Sequence, residues 1–199
     1  GIDFPFLTGS QLVGYDEILN VNGRGMMGYI EIDKIDVKLP IYHGTDESTL
    51  ANAAGHLEGS SFPVGGEGTH AIISAHRGLP SAKLFTNLDR LTKGDTFVIT
   101  ILDRTLTYQI DQIKVVLPEE TADLALTKGE DYVTLLTCTP YGVNSHRLLV
   151  RGTRIANGKP PINVVNEAYK LDSLILAPIV AAPLLLLLLI AITVKYRKK

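Results

Sequence analysis

Between Tyr29 and Gly44 the chain reads YIEIDKIDVKLPIYHG, and its apolar residues recur at every second position. Ile30 and Ile32 alternate with Glu31 and Asp33. Ile35, Val37 and Leu39 then alternate with Asp36 and Lys38. A period of two fits a strand with one buried face and one wet face, and a helix cannot gather such a set on one side. Pro40 has no N–H to give a ladder, so it marks a bend or an edge. The alternation returns in TFVITILDRTLTYQIDQIKVVLP, where Phe97, Ile99 and Ile101 run out and Leu106, Tyr108 and Ile110 run back. Asp103 and Arg104 are expected to make the turn of this hairpin.

The remaining segments fit the same class. THAIISA, nearly apolar between Gly68 and Gly78, reads as a strand from the middle of a sheet. GTDESTLANAAGHLEG reads as one short helix capped by Thr45 or Asp46, with Leu50 and Ala53 or Ala54 inward and Gly55 ending it. SAKLFTNLDRL is a helical turn with Leu84, Phe85 and Leu88 as its apolar side, and EETADLAL is expected to form another short helix. DYVTLLTCTPYGVNSHRLLVRGTR, residues 131–154, holds two more strand-like runs. Ten or so short strands and a few helical turns predict a mainly β, barrel-like domain over residues 26–155. Residues 1–25 are irregular, apart from a short helix with Tyr15, Ile18 and Leu19 on its apolar side. The chain opens without Met or a signal peptide, as a processed or trimmed form would.

Beyond Ile155 the composition changes. Residues 156–172, with paired prolines, read as a linker. Residues 173–194, SLILAPIVAAPLLLLLLIAITV, carry no charge and are expected to span a bilayer as a helix. Pro178 and Pro183 are tolerated in such a helix. The basic tail, residues 195–199, then stays in the cytoplasm and residues 1–172 stand outside the cell membrane. Of 199 residues this leaves enough for one domain with a core of its own. The formal charge of −2 gives no basic field for nucleic acid. A single cysteine excludes an intrachain disulfide and an all-thiolate metal site. No His, Asp and Glu cluster has zinc spacing, so neither metal nor cofactor is expected.

That cysteine, Cys138, ends one strand-like run, and Arg147 begins the next. A reactive thiol needs a base or a lowered pKa, and something positive to hold the oxyanion. Arg147, always charged and offering a fixed fork of donors, can serve there, or it is a surface strand arginine. His43, His56, His70, His76 and His146 compete as the base. His76 is favoured because it sits where a buried strand gives way to a loop. His70, six residues earlier, falls some 20 Å away on the same face and is expected to be structural. His146 should face away from Arg147, while His43 and His56 follow turns and serve packing. Thr137 and Thr139 either donate to the thiolate or fill the strand. Tyr141 and Asn144 either shape a substrate groove or close the turn.

TLLTCTPYGVNSHRLLVRG, with Cys138 and Arg147, resembles the signature of sortases, the cysteine transpeptidases of Gram-positive surfaces. THAIISAHRGLPSAKLF, with His76, resembles that family's histidine segment. MGYIEIDKIDVKLPIYHGT and GHLEGSSFPVGGEGTH resemble its pilus-assembling branch, class C. The resemblance implies a closed barrel of about eight strands. It also implies a two-step reaction. Cys138 would attack the Thr–Gly bond of an LPXTG-like signal on a pilin or surface protein, and a lysine amine would resolve the thioacyl enzyme. His76 would be the acid and base, Arg147 the oxyanion or positioning residue. Asp3, Phe4, Pro5 and Phe6 are similar to the Asp-Pro-aromatic lid of class C, with one extra residue between Asp and Pro, or they are a linker. Other readings are a sortase that anchors proteins to peptidoglycan and a non-catalytic pilin-binding module. A papain-like protease is disfavoured, because its cysteine precedes its histidine and opens a helix.

Overall fold

A computed structural model of the chain describes residues 14–78 and 83–157. Eight strands form: β1 Met26–Ile32, β2 Val37–His43, β3 Ala54–His56, β4 Thr69–Ser74, β5 Thr96–Ile101, β6 Arg104–Val116, β7 Asp131–Thr139 and β8 His146–Ile155. They close into a barrel in the order β1-β2-β3-β4-β7-β8-β6-β5, with β5 returning to β1. Two neighbour pairs are parallel, β2 with β3 and β4 with β7. The rest are antiparallel, so closure leaves no long free edge.

The alternation at the start of the domain fills the barrel. Ile30, Ile32 and Ile41 from the first two strands meet Ile99 and Ile101, Leu135 and Val150, all fully buried. Phe97 and Tyr108 stack at 5.5 Å between ring centroids. Gly152 of β8 faces this pair, and a Cβ there would lie 2.6 Å from the Phe97 ring. A second apolar cluster sits on the outer face of the barrel: Leu57, Ile72, Val116, Leu136 and Leu149, with Leu124 packed on it.

Several expectations shift in detail. The helix of residues 44–59 is a single turn, α1, Glu47–Leu50. Asp46 caps it, its Oδ1 accepting from the Thr49 N–H at 2.9 Å. Gly55 does not end a helix but lies in β3, because β2 needs a partner and only glycine fits there. A Cβ on Gly55 would meet the Gly44 carbonyl oxygen at 2.2 Å. Pro40 pairs with Tyr29 on one side only, since β3 begins its register with β2 at Ile41. The hairpin turn is Leu102–Asp103 rather than Asp103–Arg104: Ile101 and Arg104 form the last pair, and Leu102 takes a φ of 54°. The other expected helices are 3₁₀ turns, Tyr15–Glu17, Leu88–Arg90 and Ala122–Leu124.

Asp3, Phe4, Pro5 and Phe6, the linker and the membrane segment at 173–194 lie outside the described residues. Among the described residues no helix is long and apolar enough to cross a membrane.

Candidate active site

Strand parity decides which side chains meet. On β4, Ala71 and Ile73 point into the core, so Ile72 belongs to the outer cluster. On β7, Val133 and Leu135 point in and Leu136 points out; on β8, Leu148 and Val150 point in and Leu149 out. Two residues beyond Leu136 is Cys138, and two before Leu149 is Arg147. Both therefore face outward on the side of the second cluster. Cys138 and Arg147 are direct cross-strand partners. Such partners have Cβ atoms about 4.5–5.5 Å apart.

His76 reaches the same row from the opposite side. Ser74 registers with Leu136 across the parallel pair, and the Ala75 N–H continues the ladder to the Leu136 carbonyl at 3.2 Å. Carried two residues past the last pair, the same register would set His76 level with Cys138, at a neighbouring-strand spacing of about 4.8 Å. The thiol thus lies between an imidazole on β4's end and a guanidinium on β8. Cys138 is partly exposed and the only free cysteine.

The neighbours of each group are now definable. The His76 Nε2 meets the Glu47 carboxylate at 3.1 Å, and the Glu47 side chain is 83% exposed. The Arg147 Nη1 donates to the carbonyls of Asn144 and His146, each at 3.1 Å. These bonds hold the guanidinium against the β7–β8 turn and leave its Nε–H and Nη2–H groups to other acceptors. Arg77, next to His76, pairs with Asp89 and donates to the Thr139 Oγ1 at 3.4 Å. Across the same junction the Tyr141 hydroxyl donates to the Gly78 carbonyl at 3.4 Å. Gly78 is required there: its φ is 78°, and a Cβ would meet the Tyr141 ring at 2.4 Å. The histidine loop and the cysteine–arginine turn are thereby braced against each other.

The four residues left with two readings take these places. Thr137 is fully buried on the inner parity and donates to the Ala75 carbonyl at 2.8 Å, so its hydroxyl is spent on the strand pair, not on the thiol. Thr139 shares that parity and receives Arg77. Tyr141 is exposed over Gly78. Asn144 closes the turn, with a φ of 58° and its N–H on the Pro140 carbonyl at 2.9 Å. Among the histidines, His146 meets Ser145. His43 bonds the Gly25 and Ile18 carbonyls through its two nitrogens. His56 is fully buried against Tyr15 and the Ser61 carbonyl, and burial pushes its pKa down to about 4. Glu47 and the Arg77–Asp89 pair escaped sequence reasoning. Nothing in the spacing signals either contact, 29 residues apart for Glu47 and His76 and 12 for Arg77 and Asp89.

Along the outer face runs a cleft. Near Arg147 it is lined by Val116, Leu136 and Leu149, then passes under Leu124. A separate cavity of about 240 Å³ on the same face, sharing Leu124 with it, is lined by Ile72, His70, Leu57, Ser60 and Leu126.

Fold and row together define a class: an eight-stranded closed barrel carrying thiol, imidazole and guanidinium side by side on its outer face. The sortase domain model matches residues 30–155, and the chain belongs to the sortase family. Its structural neighbours are class C sortases. Sortase C1 of Streptococcus agalactiae is 55% identical with a TM-score of 0.74, over 76% of this chain and 79% of that one. A pilus-related sortase C of Group B Streptococcus is 53% identical with a TM-score of 0.66, over 67% and 69%. Sortase D of Bacillus subtilis is 30% identical over 131 residues, 64% of this chain and 63% of the relative. The chain spans 47% to 63% of the length of the curated relatives it matches.

Proposed function

We propose that the protein is a cysteine transpeptidase that cleaves an LPXTG-like sorting signal between Thr and Gly and joins the acyl part to a lysine amine of a pilin subunit. The observation that carries this reading is the row His76, Cys138, Arg147 across three adjacent strands, on the face that also carries the cleft. The Cys138 sulfur adds to the threonine carbonyl as its proton passes to His76, and Arg147 stabilises the oxyanion. The tetrahedral intermediate then collapses, the C–N bond breaks, and the glycine amine leaves with a proton from His76. In the second step the lysine amine adds to the thioester, gives its proton to His76, and the sulfur leaves. One hard displacement becomes two easier ones.

The cleft supports a peptide as substrate. From the level of Cys138 to Ile72 is four residues of β4, about 13 Å at ~3.3 Å each. An extended signal with its threonine at the thiol would place its leucine three residues, about 10 Å, upstream, so that the leucine side chain points on towards the apolar cavity. Pilin as substrate draws support from the pilus-related neighbour. The uncharged segment at 173–194 and the basic residues after it support attachment to the cell membrane with the barrel outside and the C-terminus cytoplasmic.

The test is incubation with an LPXTG-type peptide and an amine, read by mass spectrometry, for wild type and Cys138→Ala. Wild type should give a thioacyl adduct on Cys138 and then the amide; the variant should give neither. Wild type without adduct or cleavage, even after removal of residues 1–13, would sink the reading and favour a binding module. Pilin subunits in place of the amine, against a peptidoglycan amine, separate polymerisation from wall anchoring.

A further inference from the structure

The segment between β6 and β7 roofs the cavity. Bonds at its two ends run from the Glu120 N–H to Leu117 at 3.0 Å and from the Gly68 N–H to Glu130 at 2.7 Å, and the N–H groups of its central turn bond only within it, from Leu124 to Thr121 at 3.0 Å and from Ala125 to Ala122 at 3.3 Å. Among the described residues no strand pairs with it. On one side Asp123 receives Lys114 at 2.5 Å and Gln112 at 3.2 Å, both from β6. In the middle Leu124 rests on the outer apolar cluster. On the far side the only side-chain hold among the described residues is His70 of β4, whose Nδ1 lies 3.0 Å from the Ala125 carbonyl oxygen.

The protons on that ring follow from its partners. A carbonyl only accepts, so Nδ1 carries the hydrogen. The Nε2 then accepts from the Thr134 hydroxyl of β7, at 2.7 Å. Both nitrogens are spent by a neutral ring, and burial, which holds the His70 pKa below its ordinary value, agrees with that state. His70 is 1% exposed and forms part of the cavity floor.

We propose that His70 is a positioning residue: through Ala125 it fixes the height of the roof over the cavity, and so fixes which side chain the cavity admits. This rests on the cleft being the peptide groove, and the two ideas fail separately. Hydrogen exchange at the Leu124 and Ala125 amides reads the roof without any substrate. In His70→Leu their exchange should rise about tenfold, as expected for a lost buried hydrogen bond, with β4 and β7 unchanged. His70→Gln, which keeps an N–H to offer, should recover most of the protection. With an LPXTG-type peptide, KM should rise by a similar factor while kcat stays within about twofold and iodoacetamide alkylates Cys138 at the wild-type rate. Should His70→Leu fail to fold, Thr134→Val loosens the ring from below and should show the same pattern at about threefold.

Unchanged roof exchange in a folded His70→Leu would overturn the proposal. So would a rise spread evenly over β4 and β7, which marks lost stability and nothing local. A roof that opens while the peptide KM stays put confirms the pin and overturns the groove assignment instead.

Discussion

Arg147→Lys separates charge from geometry at the position proposed to hold the oxyanion. The Arg147 Nη1 spends its hydrogens on the Asn144 and His146 carbonyls, each at 3.1 Å. Of five guanidinium N–H groups, three remain for the substrate, held in a plane fixed by that anchor. Lysine offers three hydrogens on one nitrogen. Satisfying the same carbonyls uses two of them and draws the ammonium toward the turn, away from Cys138 on the paired strand. Loss of a preorganised oxyanion donor costs on the order of 10²-fold in kcat, about 2.7 kcal/mol. Stability should barely move, because Arg147 is only half-buried and lysine keeps a carbonyl contact. A loss of about 1 kcal/mol, or a fall of some 2–4 °C in Tm for a domain of this size, is the ceiling. The assay is a single-turnover time course of the thioacyl adduct by mass spectrometry, beside a thermal melt. If lysine kept the acylation rate within about threefold, positive charge alone would suffice and the reasoning from the anchored fork would be wrong.

Two further perturbations test the surroundings. Glu47→Ala removes the carboxylate on the His76 Nε2; because that carboxylate is 83% exposed, the effect should be small. Acylation should slow about two- to threefold at low salt and not at high salt, with Glu47→Gln in between, and a salt-independent loss would assign Glu47 another role. The second concerns acid stability. His56 titrates at about 4 in the folded barrel against 6.5 for the free side chain, because burial disfavours its cation. The unfolded chain therefore takes up the proton first, and stability falls as pH drops from about 6.5 towards about 4. That gap is worth on the order of 3 kcal/mol at most. Urea midpoints across this window should slope less in His56→Gln than in wild type; parallel slopes would mean that His56 contributes nothing to the acid sensitivity.

The fold was legible because alternation is a local signal. Ile30, Ile32, Phe97 and Ile99 carry their inward parity in the sequence, and the core follows from it. Cys138, His76 and Arg147 could be singled out for the same reason: each sits where a strand-like run ends or begins. What local pattern could not carry was pairing. β3 is three residues long, and its glycine reads as a helix stop until β2 is beside it. The turn at Leu102 puts a leucine at positive φ, a placement dictated by the register of β5 on β6 and not by its own preference. For Thr137 the sequence left open support for the thiol or filling of the strand; neighbours along a strand point to opposite faces, and Thr137 fills the strand. Glu47 meets His76 only because β3 lies between α1 and β4, which no spacing reveals.

The same parity that decides the role of Thr137 gives the strictest test of the site. Cys138 shares the outer face with Leu136, Arg147 and the cleft, whereas Thr137 points into the barrel with 1% exposure. Exchanging the two, Thr137→Cys with Cys138→Thr, keeps the composition, the strand and the sequence neighbourhood and moves the sulfur about 3.3 Å along the chain. The displacement that matters is through the sheet. At 137 the thiol would sit between core side chains, level with Ala75 and shielded from His76 and Arg147 by the backbone itself. A buried thiol in apolar surroundings is inert. Iodoacetamide should therefore leave the folded double variant unmodified over a time that alkylates wild type completely, and should modify both equally in urea. Peptide cleavage should fall to the level of Cys138→Ala. The loss of the Thr137 hydrogen bond to Ala75 costs about 1 kcal/mol, too little to unfold the barrel. Alkylation and cleavage near wild-type rates would mean that the thiol reaches its partners from either face, and the assignment of the site to the outer face of β4, β7 and β8 would have to be given up.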